Sequence, residues 1–94
     1  MNTLPLILRK NGFNYTQVLR TGNKAIYAQT VTENLEYYEV FYIRERPDRV
    51  LNGKLIKGGE AFPGNEDFGK TAWSLMTRKQ AIKKYLSLNN GSLT

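Results

Sequence analysis

The sequence predicts an α+β domain: an antiparallel β-meander of three to five strands with one C-terminal α-helix packed on one face. Three observations carry that prediction. Runs rich in Tyr, Val, Ile, Thr and Phe fill the first half and are separated by short turn signals. Asn52-Gly53 stands between two short apolar runs, which is the strongest short-range hairpin signal. From Thr77 onward the apolar spacing changes to that of a helix.

The elements follow in order. Phe13 to Arg20 and Lys24 to Val31 form the first two strands, punctuated by Thr21-Gly22-Asn23. A two-residue turn at Gly22-Asn23 pairs Arg20 with Ala25, Leu19 with Ile26 and Val18 with Tyr27. That register puts Tyr15, Leu19, Ile26 and Ala28 on one face, and Thr16, Val18, Tyr27 and Gln29 on the other. The third strand runs from Tyr37 to Arg46. Tyr37, Glu39, Phe41 and Ile43 face one way, while Tyr38, Val40, Tyr42, Arg44 and Arg46 face the other. Aromatics on both faces mark a central strand, or one whose outer face meets a partner. Pro47 ends it.

Beyond the Asn52-Gly53 hairpin, Lys57-Gly58-Gly59 loosens the chain, and 61–69 is a turn-rich loop with two anchoring residues, Phe62 and Phe68. Thr71 to Leu75 is either a short strand or a helical turn. The helix begins at a capping box, Thr77 with Gln80, and carries the stripe Ala81, Ile82, Tyr85 and Leu86. Asn89-Asn90-Gly91 ends it. The expected core is Tyr15, Leu19, Ile26, Phe41, Ile43, Trp73, Ala81, Ile82, Tyr85 and Leu86. The chain makes one domain, 1–94, with its ordered core at about 13–88. An open sheet face carrying Val18, Tyr27, Val40 and Tyr42 would be covered either by residues 1–10 or by a second copy. Monomer and homodimer therefore both stand.

Composition limits the chemistry. The 94 residues contain no Cys and no His. That excludes a zinc finger, a thiol nucleophile, a disulfide framework and a Ser-His-Asp triad. No cofactor is expected, and the chain is expected not to be an enzyme for want of a nucleophile–base pair. The longest N-terminal apolar run, Leu4-Pro5-Leu6-Ile7-Leu8, is far short of a membrane span and lacks the flanks of a secretory signal. A cytoplasmic location without membrane attachment is the expectation.

The net charge of +6 is unevenly placed: 1–43 carries +1 and 44–94 carries +5. The basic half suggests DNA or RNA as partner, bound through Tyr42, Arg44, Arg46, Arg49, Lys54 and Lys57 at a sheet edge. Arg78, Lys79, Lys83 and Lys84 would add a helix face. Tyr38 or Tyr42 would stack on bases while the cations meet phosphates. The plainer alternative makes these tyrosines core packing and the cations a solvated surface. Glu60, Glu66 and Asp67 miss the spacing of a Ca²⁺ loop, and Gly58-Gly59 lacks the phosphate-loop signature. Glu39 and Glu45 share a strand face but stand about 20 Å apart, too far for paired-carboxylate catalysis. A protein-interaction module, docking on a host protein or on itself, is the rival reading.

Tyr38-Glu39-Val40-Phe41-Tyr42-Ile43, the stretch from Glu60 through Pro63, Asn65, Glu66, Phe68 and Gly69 to Ala72-Trp73, and Ala81 together resemble small uncharacterised proteins of bacteriophages and mobile elements. Those share an E-V-F strand, a P-x-N-E-x-F-G-x-x-A-W loop and a terminal helix. The resemblance covers about residues 13–88 and implies a phage or mobile-element setting and a meander-plus-helix fold. It implies no activity. A looser likeness, in Thr77-Arg78-Lys79-Gln80-Ala81, is to the three-strand-plus-helix DNA-binding arms of tyrosine integrases, from which the stretch 47–76 departs.

Overall fold

Turn chemistry organises the sheet. In the structure, a computed structural model that describes residues 3–88, strand β1 (Ile7–Lys10) enters β2 (Phe13–Thr21) through Asn11-Gly12. Both turn residues have positive φ, 54° and 84°, the combination that lets a two-residue hairpin match the strand twist. Gly22, at φ 61°, does the same work between β2 and β3 (Lys24–Thr32), where Thr21 pairs with Lys24. β4 (Leu35–Tyr42) follows after a turn in which Thr32 Oγ1 accepts from the Asn34 backbone N–H. The chain then forms β5 (Arg44–Arg46), β6 (Arg49–Leu51), β7 (Lys54–Ile56), β8 (Gly59–Ala61), a 3-10 turn at Asn65–Asp67, β9 (Ala72–Leu75) and helix α1 (Arg78–Ser87).

The main sheet is antiparallel and five-stranded, in the order β1-β2-β3-β4-β9. β5 pairs with β8 and β6 with β7 as two separate ribbons. The predicted third strand is therefore broken at Ile43, whose N–H donates to the Asn23 carbonyl, and Arg44 to Arg46 belong to a different ribbon. Thr71 to Leu75 resolves as strand, with Val40 opposite Trp73 and Phe41 opposite Ala72.

Both faces of the sheet are covered. On one, Ile26, Ala28, Tyr38 and Val40 bury against Ala81 and Tyr85 of α1, with Val18, Leu75 and Leu88 at the margin. On the other, Leu4, Tyr15, Ala25, Tyr27, Phe41, Ile43 and Ala72 form a second core, capped by Leu8, Phe62 and Phe68. Phe62 plugs that face, with ring centroids 4.9 Å from Tyr15, 5.3 Å from Tyr27 and 4.9 Å from Phe41. β3 and β4, buried on both sides, can therefore carry near-continuous apolar sequence.

Several sequence expectations are corrected. The register slips at Val18, between Gln17 and Leu19, so Gln17 rather than Val18 lies opposite Tyr27. Such a bulge moves every residue before it to the other face. Tyr15 consequently joins Tyr27 and Phe41 rather than Ile26. The open face of Val18, Tyr27, Val40 and Tyr42 does not exist as one surface: Val18 and Val40 pack under the helix, and Tyr27 lies beneath Leu4 and Phe62. Ordered structure begins before residue 13, because β1 pairs with β2 and Leu4 is buried.

Leu19, Ile82 and Leu86 are exposed instead of core. The helix turns Ala81 and Tyr85 inward, an i, i+4 pair rotated from the stripe expected, and its extended C-cap Leu88 packs beside them. Thr77 caps it as predicted, its Oγ1 accepting from Gln80 N–H at 3.1 Å. The predicted stop at Asn89-Asn90-Gly91 lies outside the described residues. Lys24, buried on β3, donates to the carbonyls of Tyr85 and Leu88 at 3.2 Å each and sits 4.5 Å over the Tyr85 ring. The Tyr85 carbonyl also accepts from the Leu88 N–H, and a cation at the negative end of a helix is favoured by the carbonyls gathered there. Among the described residues no helix is long and apolar enough to cross a membrane.

Candidate nucleic-acid interface

The basic segment leaves the main sheet at Ile43, and local backbone geometry decides which of its cations meet. Asn52 and Gly53, at φ 53° and 75°, close the β6–β7 hairpin, so that Arg49 lies opposite Ile56 and Leu51 opposite Lys54. Gly58 returns the chain against its outgoing strand. A Cβ there would fall 2.0 Å from the Arg46 carbonyl oxygen and 2.5 Å from the Pro47 carbonyl carbon, so only glycine permits this approach. The Gly58 N–H donates to Asp48 Oδ1 at 2.7 Å, which holds the return in place.

Bringing 46–49 and 56–58 together places Arg46, Arg49 and Lys57 around one hollow of about 230 Å³, with Pro47, Ile56 and Gly58 completing its wall. All three cations are exposed, and among the described residues none makes an ion pair. Such a cluster attracts anions and is held together against its own repulsion by the covalent ribbon.

The other predicted site residues are dispersed. Arg44, though exposed, donates to the buried Asp67 Oδ1 at 2.8 Å, so its charge is offset by a carboxylate of the fold. The Gly64 N–H and then the guanidinium of Arg44 hold the Asp67 carboxyl below the usual carboxylate range. Tyr42 is buried, with its ring 6.4 Å from Trp73 in an edge-on arrangement, and serves as packing instead of offering a stacking face. Lys54 is exposed beside the hairpin turn and does not line the hollow. On α1, Lys84 lies 4.0 Å over the Trp73 ring and Arg78 5.6 Å over the Tyr38 ring, while Lys79 and Lys83 are exposed.

The acidic residues between the basic segments are mostly structural. Glu60 accepts from both terminal nitrogens of Arg20 at 2.6 Å and from the Leu4 N–H at 3.0 Å. The Arg20 hydrogen bonds, foremost, hold its carboxyl below the ordinary value. This fork ties β2, the N-terminal segment and β8 together. Glu39 and Glu45, aligned on one predicted strand, belong to different sheets, Glu39 buried and Glu45 exposed.

Three residues of consequence escaped the sequence reading: Lys24 at the helix end, Gly58 at the return, and Glu39 as a buried carboxyl. Only Glu39 had a local signal, being the one charge on the otherwise apolar face Tyr37-Phe41-Ile43. Compared with family models, curated proteins and solved structures, the chain finds no significant match.

Proposed function

We propose that this chain is a small, non-enzymatic, cytoplasmic accessory protein of a phage or mobile element that binds the backbone of DNA or RNA. One observation carries the reading: Arg46, Arg49 and Lys57 converge, exposed and with no ion pair among the described residues, on a hollow of about 230 Å³. A non-bridging phosphate carries the charge and acceptors that such a cluster lacks, and guanidinium groups pair with it bidentately. Lys54 on the hairpin and Lys79 and Lys83 on the helix extend the contact along the strand, whereas Arg44 contributes little. The likeness of the strand, loop and helix motifs to phage proteins supports the setting.

Backbone contact alone is sequence-tolerant, so specificity is expected to be low. The test is fluorescence anisotropy with labelled single- and double-stranded oligonucleotides, comparing the wild type with a triple Ala variant at Arg46, Arg49 and Lys57. Binding by the wild type and a loss of tenfold or more in the variant support the proposal. No binding at 50 mM salt overturns it.

A second reading has its own observation. Val50, Leu51 and Leu55 on the hairpin are 70%, 54% and 54% exposed, an apolar surface set among cations. It favours a protein-interaction module that self-associates through the hairpin. Sedimentation at micromolar concentration decides: a dimer mass that Leu51→Ser and Leu55→Ser abolish supports it, and a monomer excludes it.

A further inference from the structure

On the sheet face opposite the helix, Lys10, Phe13, Tyr15, Gln29, Glu39, Phe62, Pro63 and Phe68 line a cavity of about 200 Å³ that shares no residue with the hollow at the basic hairpin. Glu39 forms part of its wall. The residue is 8% exposed, and its Oε1 is buried without a hydrogen-bond partner among the described residues. Leaving a buried carboxylate oxygen unpaired is costly, and folds normally supply a partner. Here the neighbouring groups do not. Gln29 Nε2 donates to the Tyr15 hydroxyl at 3.0 Å. Lys10 alone among the lining residues is cationic, and its ammonium donates to the Pro63 carbonyl at 2.7 Å and forms no ion pair with Glu39.

The remaining walls suit a cation. Phe13, Tyr15, Phe62 and Phe68 line the cavity, and Lys10 Nζ already stands 5.0 Å from the Phe62 ring centroid. That contact shows the aromatic lining accepting an ammonium from one side. We propose that this cavity is a binding site for a primary alkylammonium group, whose charge pairs with Glu39 and whose methylenes lie along the aromatic walls. A guanidinium brings five donors, more than one carboxylate and a few amide oxygens can satisfy, whereas an ammonium brings three.

Burial pushes the Glu39 carboxyl up to about 7, with the Lys10 ammonium opposing. Lys10 on β1 and Tyr15 on β2 are the titratable groups that face it across the cavity; β3 and residues 62–68 contribute none to the lining. Only the ionised carboxylate pairs with the ligand, so binding releases a proton at neutral pH and strengthens as pH rises.

The experiment titrates n-butylammonium chloride into the full chain, following ring resonances of Phe13, Phe62 and Phe68 by NMR, with sodium chloride and n-butanol as controls. Saturable shifts at pH 8.5 are expected, with affinity about 30-fold weaker at pH 5.5, following the ionised fraction of a group titrating near 7. Glu39→Gln, which keeps the shape, is expected to weaken binding tenfold or more at pH 8.5. Lys10→Gln, which removes the competing ammonium, is expected to tighten it several-fold. Absence of saturation at pH 8.5, equal binding by n-butanol, undiminished binding by Glu39→Gln, or no gain from Lys10→Gln overturns the proposal. None of these outcomes depends on whether the chain binds nucleic acid.

Discussion

Replacing Glu39 by Gln should change how stability depends on pH, with a sign and a window set by burial. In the fold the carboxyl is raised from its ordinary 4.5 to about 7, because desolvation disfavours the charged form more than Lys10 favours it. The native state therefore holds this proton more tightly than the unfolded chain. Its contribution is fully present below pH 4.5 and is lost as the pH climbs through 7. At about 1.4 kcal/mol for each tenfold change in proton affinity, the full loss is at most about 3–4 kcal/mol. That is a large share of the ~5–15 kcal/mol typical of a small domain.

Glu60 and Asp67 act oppositely: their carboxyls lie below ordinary values, so their stabilisation is present above the unfolded range and lost only as the pH falls below it. They leave the window between pH 5 and 8 to Glu39. Urea denaturation of wild type and Glu39→Gln at pH 5, 6, 7 and 8 measures the effect. The wild type should lose about 2–3 kcal/mol across this range while the variant stays flat. A flat wild type, or a variant that follows the wild-type slope, would refute the reasoning.

Three further perturbations probe the scaffold. Phe62→Ala unplugs the second core and should cost about 3 kcal/mol by denaturation, the low end for a buried aromatic because Phe62 is only partly buried; under 1 kcal/mol would deny it that role. Lys24→Met keeps the stem but removes the ammonium from the Tyr85 and Leu88 carbonyls, and should cost about 1–3 kcal/mol with earlier loss of helical circular dichroism on heating. Gly58→Ala forces a Cβ into the Arg46 and Pro47 backbone, and should cost at least about 2 kcal/mol and weaken oligonucleotide binding together with stability.

Much of the architecture follows from local chemistry. The β2 and β3 spans, the Asn52-Gly53 hairpin and the Thr77 cap each rest on neighbours in sequence, and each forms where those neighbours predict. Asn11-Gly12 bears the same turn signal as Asn52-Gly53 and joins β1 to β2, so β1 too rests on neighbours in sequence. The bulge at Val18 has no such signal, because it depends on which register best fills two cores at once. The rotation of α1 is likewise set by packing: Ile82 and Leu86 fit an apolar stripe as well as Ala81 and Tyr85 do until the sheet chooses.

The candidate interface was visible as a charge excess but not as a geometry. Arg44 and Asp67 are 23 residues apart, so nothing local shows that one neutralises the other. The grouping of Arg46, Arg49 and Lys57 depends on the close return at Gly58. Glu60 looked like part of an acidic loop and is the anchor of Arg20 and Leu4 instead.

The salt dependence of oligonucleotide binding tests the central claim most directly. If Arg46, Arg49 and Lys57 each neutralise a phosphate, raising salt from 50 to 200 mM should weaken binding roughly 20- to 40-fold for three contacts, and more if the hairpin and helix lysines join. The triple Ala variant should lose that share of the slope, while Arg44→Ala should leave it nearly unchanged. Binding indifferent to salt, or a triple variant with the wild-type slope, would contradict the account.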